Sequence, residues 1–130
     1  MEDAAFSQDF LRFLRAAVPT VDAAELLLLL HGEPQRWWAA TEAADALTPE
    51  ARLSEADVAR YLAAFQASAL IAVGPDKRFQ YRPASAVVDA NVRTLAQAYR
   101  ERPVTLFRVI YALRDSRIQS FADAFRLRRS

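Results

Sequence analysis

Apolar positions recur along this chain in two rhythms. Phe6, Phe10, Phe13, Leu14 and Ala17 fall three or four residues apart for most of their length, which predicts an amphipathic helix over residues 5–17 that Pro19 ends. Thr20 and Asp22 offer N-caps for the next helix, and Asp22 with Glu25 fits a capping box. That helix runs through Leu26–Leu30 to His31, with Gly32 at a C-cap position. Five consecutive leucines cannot share one face, so it is expected to pack on several sides. A loop over 32–36 leads to Trp37-Trp38, an extended entry expected to pair with the hairpin, with at least one of the two indoles in the core. Thr41 is the expected cap of a short helix ending near Leu47, and a turn spans 48–53. Ser54, with Asp57 three residues on, opens a helix whose core face is Val58, Tyr61, Leu62, Phe65 and Ala69.

The rhythm then changes. Leu70–Val73 and Phe79–Arg82, joined by Gly74-Pro75-Asp76, predict a β-hairpin. Ser85 caps a long helix containing Val88, Val92, Leu95 and Tyr99, which breaks at Arg100–Pro103. Val104–Leu113 is apolar around much of its circumference and is expected to be helical. A last helix from Asp115 or Ser116 carries Ile118, Phe121, Ala122 and Phe125 on one stripe. One core is expected to hold Leu27, Leu28, Leu30, Val58, Leu62, Phe65, Leu70, Val73 and Phe79.

Length and composition narrow the picture. The 130 residues fit one domain, with a core large enough to need no metal or disulfide staple. With no cysteine, thiol catalysis and zinc–thiolate sites are excluded. The lone His31 has no second His or Cys beside it, and at a helix C-terminus it suits the dipole. Two glycines leave little for a phosphate-cradling loop, and no nucleophile–base motif is present, so neither an enzyme nor a cofactor is expected. The longest strongly apolar run, Leu26–Leu30, is too short for a bilayer, and the acidic start lacks the basic region of a signal peptide. The expected location is the cytoplasm, with no membrane partner.

A net charge of +1 hides a strong asymmetry. Residues 40–70 hold five acids and two bases, whereas residues 100–130 hold eight arginines and three acids. The hairpin carries Lys77, Arg78 and Arg82 against one acid, Asp76.

Leu26–Leu30, the tryptophan pair, Thr41–Leu47, Ser54–Val58, Leu70–Val73 and Phe79–Pro83 together resemble a bacterial winged helix-turn-helix domain of the MarR-like type over residues 20–83. The resemblance implies a mainly α fold with a small β-hairpin: a winged helix-turn-helix with flanking N- and C-terminal helices. In that scheme residues 85–128 form a helical extension of the kind such regulators use to dimerise. It implies a small DNA-associated transcriptional regulator, with the helix from Ser54 as reader. The candidate DNA contacts are Arg60 and Gln66 on that helix and Lys77, Arg78 and Arg82 on the hairpin. Glu55 and Asp57 sit where phosphates would approach, and serve the helix dipole and cap.

The alternative is a winged-helix protein-interaction module that does not read DNA and docks a partner. Phe107, Ile110, Tyr111, Ile118, Phe121 and Phe125 are the candidate partner or dimer interface, unless the extension wraps back over the first helix. The arginines Arg114, Arg117, Arg126, Arg128 and Arg129 are read as a solvated end, as phosphate contacts, or as a site for an acidic protein. The candidate partners are therefore duplex DNA, a second copy of the chain, or another protein.

Overall fold

A computed structural model describes residues 6–47 and 53–114. Residues 48–52 of the turn expected over 48–53, the last helix with Ile118, Phe121 and Phe125, and the arginines beyond Arg114 lie outside the described residues. Those described form six helices and a two-stranded antiparallel sheet, the mainly α class with a small hairpin. None of the helices is long and apolar enough to cross a membrane.

The first helix, α1 (Gln8–Ala17), starts at Ser7, whose hydroxyl accepts from the Phe10 N–H. It buries Phe10, Phe13, Leu14 and Ala17, the stripe its spacing predicts. Helix α2 (Val21–Gly32) is capped by Thr20, which accepts from the Ala23 N–H at 3.0 Å. Asp22 therefore lies inside the first turn and does not cap, and Glu25 accepts from the Tyr99 hydroxyl instead of closing a box. Leu26, Leu27 and Leu30 are fully buried while Leu28 and Leu29 are half-buried, because α2 packs on later helices and on the hairpin. Gly32 is the last helical residue, not a left-handed cap, and the chain leaves through Glu33 with φ −133°.

Helix α3 (Ala40–Ala46) corrects the expected cap at Thr41. Its N-cap is Ala39, which has no acceptor side chain. The Glu42 carboxylate takes the Ala39 N–H at 2.8 Å and supplies half of a capping box alone. Helix α4 (Glu55–Ala67) has the whole box. The Ser54 hydroxyl accepts from the Asp57 N–H at 3.0 Å, and the Asp57 carboxylate accepts from the Ser54 N–H at 3.3 Å. Its inner face is Val58, Tyr61, Leu62 and Phe65. Ala69 does not join that face; it is exposed, in the left-handed region at φ 62°, where the chain turns from α4 into the sheet.

Strands β1 (Ile71–Val73) and β2 (Phe79–Tyr81) pair with Ile71 opposite Tyr81 and Val73 opposite Phe79. Trp38 adds a single antiparallel bridge to Phe79, with bonds of 2.7 and 2.8 Å in the two directions. Trp38 is buried and Trp37 is 37% exposed, its ring lying over Gly74 so closely that an added Cβ would sit 3.2 Å from it. Val73, expected in the core, is exposed, and Phe79 and Leu28 are only half-buried. The other six of the nine expected core positions are buried.

Helix α5 (Ala86–Glu101) is capped by Ser85, and α6 (Pro103–Arg114) follows after Arg102 with Pro103 as its first residue, where a missing N–H costs nothing. Leu106, Val109 and Ile110 of α6 turn into the same core as α1 and α5. The extension thus wraps over the first helix as far as it is described. Ile110 is a correction as a partner contact: at 2% exposure its side chain is already used inside the chain.

Candidate functional site: the outer face of α4, the hairpin and two clefts

Helix α4 turns Glu55, Ala56, Ala59, Arg60, Ala63, Gln66 and Ala67 to solvent. Four of the seven residues on this face are alanines. Its start is acidic, and the Asp57 carboxyl is held below the usual range by the Ser54 backbone bond, then by the Ser54 hydroxyl and by Arg60. Arg60 is engaged with that carboxylate at 2.9 Å and lies over the Tyr61 ring. The pairing follows from the i,i+3 spacing of acid and base on a helix. It leaves Gln66, on the last turn, as the other expected reader, exposed and away from the acidic end.

On the hairpin, Arg78 reaches Asp76 at 3.4 Å and Glu42 at 3.8 Å, tying the tip to the start of α3. The Glu42 carboxyl is lowered mainly by the Ala39 N–H, with Arg78 and Arg36 adding to it. Lys77 is exposed in a left-handed conformation at φ 63°, which closes the turn between Gly74 and Arg78. Neither Lys77 nor Arg82 makes an ion pair with another described residue.

Two clefts separate these side chains. One, of about 440 Å³, lies between the start of α2 and the end of α6, with Thr20, Asp22, Arg60, Tyr61, Tyr111 and Arg114 on its walls. There the Thr20 hydroxyl donates to the Tyr61 oxygen at 3.1 Å. Burial first, then Glu25 and Asp57, raise the Asp22 carboxyl. The other cleft, of about 590 Å³, lies between the α2–α3 loop and the start of α5 and takes in Pro34, Gln35, Tyr81, Arg82 and Asp89. The structure therefore does not gather Arg60 and Arg82 into one cleft.

Of the expected partner contacts, Tyr111 is exposed and Phe107 is half-buried with its ring 5.7 Å from that of Tyr99. Val104 is exposed beside them on α6. Sequence reasoning did not single out three pairings. The Arg36 guanidinium stacks 3.6 Å above the Trp38 ring, Tyr81 donates to Asp89 at 2.7 Å, and Tyr99 donates to Glu25 at 2.7 Å. Burial and these carboxylates push the Tyr81 hydroxyl well above the usual tyrosine range and that of Tyr99 up to about 12. Only the Arg36–Trp38 pair is close enough in sequence to have been found from spacing.

No protein-family model matches this chain, and neither does any curated protein or solved structure.

Proposed function

We propose that the chain is a winged-helix-type module that docks a partner protein and does not read DNA sequence. The order helix α2, bridging Trp38, α3, α4 and hairpin supports the winged-helix reading. The observation that carries the functional reading is the outer face of α4. A reader helix needs long donors free to reach base edges. Here Asp57 holds Arg60, the N-terminal turn is acidic, and alanines fill most of the rest. A smooth, weakly charged face of this kind admits close packing by another protein, and a phosphate backbone would meet Glu55 and Asp57 first.

A second reading, a DNA-associated regulator, draws on Lys77 and Arg82, which are exposed and make no ion pair among the described residues. Titration of the protein with generic duplex DNA over a range of salt separates the two. The docking reading expects no binding, even at low salt. Binding whose logarithm falls with log salt, and whose slope drops by about one unit for each of Lys77 and Arg82 changed to Ala, would establish the regulator instead.

A further inference from the structure

Strand β2 has an edge at Tyr81 that no described residue uses. The bonds from the Arg82 N–H to the Leu70 C=O and from the Gly74 N–H to the Arg78 C=O fix which residues of the ladder face each other through hydrogen bonds. In an antiparallel pair these alternate, so the N–H and C=O of Phe79 and Tyr81 point away from β1. Phe79 spends both on Trp38. One step along, the chain before Trp38 has turned away, with the Arg36 N–H bonded to the Glu33 C=O. Among the described residues, nothing pairs with the Tyr81 N–H or C=O. Instead the buried Gln80 side chain reaches across to the Gln35 C=O at 3.1 Å and holds that loop at a fixed distance.

Tyr81 and Arg82 line the cleft of about 590 Å³. Its floor is rigid: the Tyr81 side chain is buried, bonded to Asp89, and set edge-on against the His31 ring at 5.1 Å. Pro34, Pro83 and Ala86 give it apolar walls. Its charges do not balance. Asp89 is already offset by Arg93 at 3.2 Å and by the Tyr81 hydroxyl, whereas Arg82 has no acidic partner among the described residues.

We infer that this cleft binds an extended segment of a partner protein, which adds as a strand beside Tyr81 and places a carboxylate against Arg82. Backbone pairing supplies the attachment, the proline and alanine walls take alternate side chains, and the uncompensated guanidinium selects acid over base. This rests on the reading of the chain as a protein-docking module and gives the chemistry of what docks.

The test uses the full chain and a short fluorescent peptide of alternating valine and threonine with one central glutamate. Binding is followed by anisotropy and by amide shifts and exchange in NMR. The expected result is saturable binding that shifts Tyr81 and Arg82 and slows exchange of the Tyr81 N–H. Arg82→Glu, with its melting temperature unchanged, should weaken binding roughly tenfold, and a lysine-centred peptide should bind no better than that variant allows. Two peptides N-methylated at adjacent positions should differ. The one blocked on the pairing side should lose about five- to tenfold, and its neighbour should keep full affinity, because alternate N–H groups face opposite ways.

No shifts at Tyr81 and Arg82 with millimolar peptide, or equal loss from both methylations, would overturn the assignment. So would self-association of the chain that Arg82→Glu abolishes while the peptide does not bind. A protein that binds neither peptide nor duplex DNA refutes the cleft and leaves the docking reading standing. One that binds duplex DNA with a steep salt slope refutes the docking reading itself.

Discussion

Helix α4 and the hairpin after it carry all five candidate DNA contacts, yet they are held in place by different means. The helix is fixed from beneath. Val58, Tyr61, Leu62 and Phe65 lie in the common core, and a reciprocal box closes its first turn. The hairpin has three-residue strands, an exposed Val73 and a left-handed lysine at its tip. It depends on particular contacts: Trp37 over Gly74, Trp38 bridged to Phe79, and Arg78 between Asp76 and Glu42. Burial positions α4 whatever its outer residues are, so those residues are free to be alanine. The hairpin's polar residues are partly consumed in positioning it, which is why Arg78 is not a free cation.

The largest effect should come from beneath the helix. Phe65→Ala should cost about 3–5 kcal/mol in denaturant unfolding, the range for a buried phenylalanine. A loss below about 1 kcal/mol would show that burial does not fix α4. Leu106→Ala on α6 should cost about 2–5 kcal/mol, because that side chain is fully buried among α1 and α5. If the same change left unfolding untouched but altered the mass in solution, α6 would belong to a second chain's core and not to this one's.

At the hairpin the sign reverses. Lys77→Gly should stabilise the protein by roughly 1 kcal/mol, since glycine adopts the left-handed conformation without a Cβ penalty. A destabilised variant would mean that the Lys77 side chain makes a contact outweighing its strain. The smallest effect is confined to high pH. Tyr99 keeps its proton up to about 12 in the folded chain against 10.0 as the ordinary value, so the folded state binds the proton more tightly. The stabilisation is complete below pH 10 and is lost as pH rises from there towards 12. Tyr99→Phe should make stability fall less steeply across that window. The slope should not vanish, because Tyr81 is shifted in the same direction.

What the sequence disclosed depended on how far apart the interacting groups lie. Ser54 and Ser85 were legible as caps because the hydroxyl and the N–H it serves are three residues apart. Ala39 was not, since alanine carries no capping signal and the bond comes from Glu42 reaching back. Ala69 looked like one more apolar helix position because nothing about alanine announces a left-handed backbone. The core helices followed from periodicity, whereas Val73 was misplaced because a three-residue strand gives too few alternations to fix which side faces inward. At the site, the charge of Arg78 and Arg82 was visible. That Glu42 would engage the first, and that the second would overlook an open strand edge, depended on the tertiary packing of distant segments.

The unequal burial of the two neighbouring indoles gives the molecule a pair of built-in optical probes. Trp38, sealed in the core with a guanidinium on its face, should emit at shorter wavelength and resist a dissolved quencher such as acrylamide. Trp37, part-exposed beside the Gly74 turn of the hairpin, should be quenched readily. A ligand that covers the hairpin turn would protect the second signal and leave the first unchanged, while unfolding would expose both. Occupancy of that region and integrity of the fold are therefore readable in one unlabelled sample.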